Sequence, residues 1–443
     1  MRAVSVRDWW TLGVGFTLTL GYAVALAWAF ETQSYNVWGS LLVAPVLAAS
    51  NLWLIWWAGR RGEDPWVVKL LVVAFFLKML GSFARYLTVF VLYGGVGDAN
   101  RYNQYAVEQY QLWRQGYLLW EPGGKSGTQA LELITTAVYT VIGPAPLAGF
   151  LVFASLAFWG SYLLYRAFRV GVPGGRHRLY AALVLLLPSV LFWPSSIGKE
   201  AWLMFWVGVA ALGVAKSLNG HGGWLLLALA AVGTLMIRPH FTVLLAVGVL
   251  GAQLFRPTGP DATGVLRKVA SLLAVFAAVV LFATQSAEFL GIEDLDATSV
   301  IDSIEWASGQ TAQGGSVFEP LPLTHPLGVP AAIITMLFRP FPWEASGLPM
   351  LMQSIEGLAL ICLCWWQRAS IARVPRLIRK NPYVAFAVIY ALAFTLAFAG
   401  FGNFGILARQ RTLMLPLALV ILALPTEGTK GERAMRPAES LKV

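Results

Sequence analysis

The chain is poor in charge. Asp, Glu, Lys and Arg make up 12% of its 443 residues, about half the roughly 25% of a soluble domain, so the material for a wetted surface is missing. Cysteine is almost absent. Cys362 and Cys364 are the only two, close together inside an apolar block, which excludes a disulfide framework and a cysteine zinc site and leaves them as small apolar helix residues. There is no internal repeat at a fixed period, and no polar stretch long enough for a separate soluble domain. No metal-ligand spacing, Ser/His/Asp set or dinucleotide fingerprint is present. Gly123-Gly124-Lys125-Ser126-Gly127-Thr128 imitates a nucleotide-binding loop, but Leu119 stands where that loop requires its first glycine, and no buried strand precedes it.

What the sequence has is apolar: 58% of its residues, gathered in blocks long enough for a helix to cross about 30 Å of hydrocarbon. Trp is abundant, with 19 residues, and Trp9, Trp10, Trp38, Trp57 and Trp66 stand near block edges as in an interfacial aromatic belt. The pattern predicts an all-α polytopic transmembrane helix bundle of about twelve spans, near 10–30, 38–58, 67–93, 144–165, 179–194, 201–217, 223–237, 241–255, 269–284, 347–366, 383–401 and 412–425. A short apolar piece at 329–338 reads as re-entrant or a half-helix. The first block lacks a convincing cleavage site and reads as a retained helix. Residues 1–425 read as a single transmembrane domain, and 426–443 as a disordered cytoplasmic tail.

The net charge of +10 is not a nucleic-acid signal, because the basic residues segregate by side. With the N-terminus placed in the cytoplasm, 22 of the 32 Lys and Arg residues fall on the inner side, including five between Arg368 and Lys380 with no acid among them. This is the positive-inside pattern, and it puts both termini in the cytoplasm. Lys78 and Arg85 lie within the third span on one helix face, expected to look into the bundle rather than at lipid. Two long loops, 94–143 and 285–328, face out. The first carries a helical face made of Tyr102, Tyr105, Ala106, Gln109 and Trp113, expected to lie at the interface, and a second apolar helix at about 129–142. The second loop is acidic.

Five basic residues run against the inside rule, in short motifs at the outer ends of spans: Lys199, Arg238, Arg339, Arg409 and Arg411. Charges at such depth face a cavity or a partner, and if these five share one rim they call for an anion such as phosphate. Snorkelling side chains, or ion pairs internal to the bundle, are the structural alternative. The candidate acid/base is Asp98, in Gly97-Asp98-Ala99-Asn100-Arg101-Tyr102; it also suits an N-cap, and one residue can do both. Glu108, Glu121, Glu200 and Glu344 are further outer carboxylates. His240 and His325 are isolated and read as structural.

Gly97-Asp98-Ala99…Tyr102 after a span, followed by two short outer helices, resembles the first outer loop of GT-C-type membrane glycosyltransferases. Pro188-Ser189…Phe192-Trp193-Pro194-Ser195…Lys199-Glu200, Arg339-Pro340-Phe341-Pro342-Trp343-Glu344 and Ala408-Arg409-Gln410-Arg411 are similar to motifs of bacterial envelope-polysaccharide proteins, O-antigen polymerase relatives among them. The resemblance implies an enzyme of the bacterial cytoplasmic membrane that uses a polyprenyl-phosphate-linked sugar on the outer face. Asp98 would be its base, and Lys199, Arg238, Arg339, Arg409 and Arg411 its phosphate-binding set. Arg101, Tyr102, Glu200, His240, Trp343 and Glu344 would contact acceptor or sugar, with Trp113 and Trp120 as further stacking residues. No cofactor is called for; a divalent metal is left open, and other envelope-synthesis proteins are candidate partners. In GT-C enzymes the aspartate follows the first span, whereas Asp98 follows the third, and no second acidic residue of the DxD or ExD type follows it. A polymerase or ligase acting on polyprenyl-diphosphate oligosaccharides, driven by arginines without a carboxylate base, and a lipid-linked sugar transporter are the alternatives.

Overall fold

A computed structural model describes residues 6–118, 126–258, 262–290 and 315–425. Among these residues the secondary structure is helical, with no β-strand and a single isolated bridge between Val317 and Asn403. Seven helices are long and apolar enough to cross a membrane: Tyr35–Arg60, Pro65–Leu92, Pro146–Gly171, Lys199–Leu218, Ala262–Ala287, Leu348–Trp366 and Phe404–Ala423. Five shorter apolar helices accompany them, His177–Leu186, Trp224–Leu235, Pro239–Phe255, Gly328–Phe338 and Pro382–Ala397, together with an N-terminal helix, Val6–Thr32. Proline starts several of them, at Pro65, Pro146, Pro239 and Pro382, where its fixed φ suits the first turn and its missing N–H costs nothing.

The helices follow the apolar blocks, but several boundaries differ from expectation. The block at 179–194 is two helices, His177–Leu186 and the short Pro188–Phe192, followed by non-helical turns to Gly198. Pro188 ends the first helix because it holds Leu187 extended, at ψ 129°. The last block starts earlier than expected. Asn403 caps the helix through its side chain, which accepts the Ile406 N–H at 3.1 Å, so Arg409 and Arg411 lie inside the helix rather than just before its start. The helix expected over 383–401 stops at Ala397. Gly328–Phe338 has 11 residues, or about 16 Å at 1.5 Å per residue, half of a bilayer core. The helix expected over 269–284 extends from Ala262 to Leu290. The acidic residues Glu293, Asp294, Asp296, Asp302 and Glu305, with Glu121, Lys125, Trp120 and the tail from residue 426, lie outside the described residues.

The centre of the bundle is the pair Pro146–Gly171 and Lys199–Leu218, both largely buried. Two glycines let their backbones touch: a Cβ on Gly208 would sit 2.3 Å from the Gly160 carbonyl oxygen, and one on Gly160 would sit 2.5 Å from that of Met204. Small residues at a helix contact are how membrane helices approach closely without a hydrophobic force between them. Tyr35–Arg60 and Pro65–Leu92 pack against Pro146–Gly171, while Trp224–Leu235 packs against Lys199–Leu218 and Pro239–Phe255 against Pro382–Ala397. The outermost faces are apolar and bare, with Leu266, Leu273 and Phe276 on one helix and Leu348 and Ile355 on another all exposed. Such faces suit hydrocarbon rather than water. The helix Asp98–Arg114 packs on Ser126–Ile142, burying Tyr102 and Ala106 of the face expected to lie at the interface and half-burying Tyr105, Gln109 and Trp113. At the opposite end of the central helix, buried Glu63 accepts from Tyr162 at 3.0 Å and from Arg169, and forms an ion pair with Arg166 at 3.0 Å.

Gly208→Val should push the two central helices apart, at a cost of about 1–3 kcal/mol for overpacking. A thermal unfolding midpoint in detergent equal to that of the unsubstituted protein would contradict this contact.

Candidate functional site

The broken block at 187–198 forms one wall of a cavity, and the third span holds it in place. In a continuous helix the Val190 carbonyl would accept from residue 194, but that residue is Pro194 and has no N–H. Lys78 supplies the donor instead, with Nζ 2.6 Å from Val190 O. The next carbonyl, of Leu191, accepts the Ser195 hydroxyl at 2.6 Å and lies against Gly81, where a Cβ would stand 2.4 Å away. At the other end of the short helix, the Ser189 N–H donates to Glu356 Oε2 at 2.6 Å. Every backbone group of an interrupted helix inside an apolar bundle needs such a partner.

The span that carries Lys78 ends in a π-turn, Thr88–Leu92, and the chain leaves it through Gly94 and Gly95, with φ +59° and +82°, and Gly97, with φ +135°. Only glycine adopts the last conformation without strain. Gly97 is the N-cap of Asp98–Arg114, and Asp98 is the first helical residue with no capping hydrogen bond, so the N-cap reading of Asp98 fails. Its side chain is 58% exposed and meets Arg409, with Nη2 to Oδ2 at 3.4 Å.

Arg409 joins Asp98 to Glu200. Its Nη2 lies 3.1 and 3.3 Å from the two Glu200 oxygens. The Glu200 side chain is only 3% exposed, and Arg238 approaches it at 3.9 Å while donating to Gln410 Oε1. Lys199 donates to the Thr128 hydroxyl at 3.1 Å. Arg85, one helical turn before the π-turn, is buried and lies over the rings of Trp193 and Phe192, at 4.8 and 5.3 Å. Arg85, Tyr93, Asp98, Trp193, Glu200 and Arg409 line one cavity of about 270 Å³, with Gly97, Gly198 and Gly405 bringing backbone to its wall. Lys199 and Arg238 sit close behind it, in electrostatic contact with Asp98 and Glu200. Four cations therefore surround two carboxylates, an excess of positive charge that favours an anion. The helices of Asp98, Glu200 and Arg409 all begin at this cavity, and their N-terminal ends add to the positive field.

Tyr102 is buried beside these charges. Burial, and then the Asp98 and Glu200 carboxylates, push its hydroxyl above the usual tyrosine range, so it stays neutral. Burial lowers the pKa of Arg238 while Glu200 opposes the shift. His240 is packed against Phe241 and Phe398.

The other predicted site residues go elsewhere. Arg339 has its own carboxylate: its Nε lies 2.9 and 3.1 Å from the two oxygens of Glu344, and its guanidinium covers the rings of Phe318 and Phe404 at 4.6 and 5.0 Å. Although partial burial raises the Glu344 pKa, the Arg339 hydrogen bonds and the Phe341 N–H outweigh it and hold the carboxyl below its usual range. Trp343 is 80% exposed and stacks on Phe341, outside the cavity. Arg411 is 1% exposed, donates to the Arg339 carbonyl at 2.8 Å and lies 3.8 Å from Glu356. Arg101 pairs with Glu132 at 3.1 Å. The expected single rim of five cations is thus divided: Lys199, Arg238 and Arg409 gather around Glu200, and Arg339 and Arg411 brace the neighbouring helices. Arg85 and Trp193 were not among the expected site residues. The legible signal for Arg85 was a charge inside an apolar span on the face turned to the bundle. Among the described residues, no group of three or more His, Cys, Asp or Glu is placed to hold a metal ion.

Glu200→Gln should leave Arg409 and Arg238 without their shared counter-charge. Removing one partner of a buried pair costs roughly 3–5 kcal/mol, read as a lowered unfolding midpoint; an unchanged midpoint would show that Glu200 does not hold the cluster together. No protein-family model matches the chain, and no curated protein or solved structure matches it.

Proposed function

We propose that the chain is a membrane glycosyltransferase that takes a sugar from a polyprenyl-phosphate-linked donor on the outer face of the cytoplasmic membrane, in the synthesis of envelope polysaccharide or glycolipid. The observation that carries this reading is the cavity lined by Asp98, half open to solvent, by Arg85, and by Arg409, which joins Asp98 to a buried Glu200. An acid/base group and an excess of cations in one pocket suit a transfer that needs a proton removed at one end and a phosphate stabilised at the other. Asp98 takes the proton of the acceptor hydroxyl as that oxygen forms its bond to the anomeric carbon. The bond from that carbon to the phosphate oxygen breaks, and the charge left on the phosphate is offset by the arginines. Trp193 and Tyr93, on the cavity wall, offer ring faces to a sugar.

On this reading the seven long helices, the N-terminal helix and the shorter apolar ones form about twelve spans, with both termini cytoplasmic and the Asp98 and Arg409 ends outside. The basic stretch from Arg368 to Lys380 then lies on the inner side, as the positive-inside rule requires.

Asp98→Asn should remove sugar transfer, by about 10²–10⁴-fold for loss of an acid/base group, while Arg339→Ala should leave transfer largely intact and lower stability. Radiolabelled sugar transfer from a synthetic polyprenyl-phosphate donor in purified membranes reads both. Full activity of Asp98→Asn with loss in Arg409→Ala would favour instead a polymerase or ligase that acts on polyprenyl-diphosphate oligosaccharides through arginines alone. A C-terminal reporter fusion that is active only outside the cell would overturn the orientation.

A further inference from the structure

The cations of the cavity are not equivalent. Arg409 has its counter-charges in Glu200 and Asp98, Arg238 shares Glu200 and bonds Gln410, and Lys199 has the Thr128 hydroxyl. Arg85 has none of these. It is 9% exposed, lies against the cavity, and makes no hydrogen bond or ion pair with any of the described residues; its Nε is buried and without a partner. A buried guanidinium without an acceptor is costly, and the rings of Trp193 and Phe192 that flank it attract its charge but supply no oxygen acceptor for its N–H donors. It feels the charges of Arg409, Glu200 and Asp98, and the two carboxylates are already held by Arg409.

We infer that Arg85 is the anchor for a phosphoryl group, and that Arg409 is chiefly the clamp that holds the two carboxylates. A phosphate accepts the two-pronged donation that Arg85 has unused. The surroundings favour a phosphate carried on a lipid. Tyr93 and Val96 line the same cavity and are half or more exposed, and Val91 and Leu92 continue that exposed apolar surface down the end of the third span, so a tail can lie along the helix while its headgroup reaches Arg85. The assignment rests on the proposed transferase reading only for the lipid's identity; the phosphoryl site follows from the unpartnered arginine.

Binding, not turnover, tests it. The full chain in neutral phosphatidylcholine nanodiscs would be titrated with a polyprenyl monophosphate, the corresponding polyprenol and inorganic phosphate. R85Q should weaken polyprenyl phosphate by roughly tenfold or more, the size expected for a lost charge-assisted hydrogen bond, and leave polyprenol unchanged. R85K, which keeps the charge but loses the fork, should fall between, and its unfolding midpoint shows whether the fold is intact. Arg85-dependent binding of inorganic phosphate, with none of the lipid, would keep the anchor and make its ligand a soluble phosphate. Equal affinity of R85Q, R85K and the unsubstituted protein for every phosphorylated probe would overturn the inference, as would an equal loss for polyprenol. Asp98→Asn separates the two claims: full sugar transfer in that variant removes Asp98 as the base, while lipid-phosphate binding that R85Q still weakens in the Asp98→Asn background leaves the anchor standing.

Discussion

The buried carboxylate of Glu200 is the constraint on which the cavity depends. An ionised carboxylate almost out of reach of water is tolerable only with opposite charge close by; Arg409 supplies it at hydrogen-bond distance and Arg238 adds a second charge at 3.9 Å, from two other parts of the chain. That single requirement ties together the start of Lys199–Leu218, the joint before Pro239 and the second turn of the helix that begins at Phe404. Because Arg409 also reaches Asp98, it fixes the helix Asp98–Arg114 against the bundle as well.

Around this cluster the helices are interrupted, and the interruptions are what make room for it. Pro188 and Pro194 break one helix, a π-turn ends another, Arg238 lies in an extended joint, and the chain from Phe398 to Asn403 is not helical. Each break frees backbone groups that hydrocarbon cannot satisfy. Lys78 answers Val190 O, Glu356 answers Ser189 N–H, Arg411 answers Arg339 O, and Asn403 caps its own helix. Several charges in apolar segments are therefore structural partners of broken backbone, and this separates Lys78 and Arg411 from Arg409 and Arg85, which face the cavity. Among the described residues no backbone or side-chain acceptor meets Arg85, and this distinguishes it from Lys78, seven residues earlier on the same face.

Much of the helical architecture was legible. Apolar blocks of membrane length produced helices wherever they were expected, and prolines marked many of their starts. What failed were the boundaries set by polar chemistry. Ala408-Arg409-Gln410-Arg411 looked like a motif just before the span at 412–425 because its charge interrupts the apolar pattern, yet it lies within the helix because the bundle supplies Glu200, Arg339 O and Glu356 as partners. The block at 179–194 looked continuous because its residues are apolar, and hydropathy does not register the donor that Pro194 lacks. Asp98 and Glu200 were visible as outer carboxylates, but their unequal exposure was not.

The sequence by itself determined that the chain would be helical and apolar outside, that its charges would be few, and that those within or beside apolar segments would need partners. These follow from composition and from spacings along the chain. Which charge met which partner was decided only by the tertiary structure. Arg409 meets Glu200 across 209 positions and Asp98 across 311, whereas Arg339 meets Glu344 across five. Electrostatic energy depends on distance and burial in space, and neither is written in the order of residues once the partners lie on different helices.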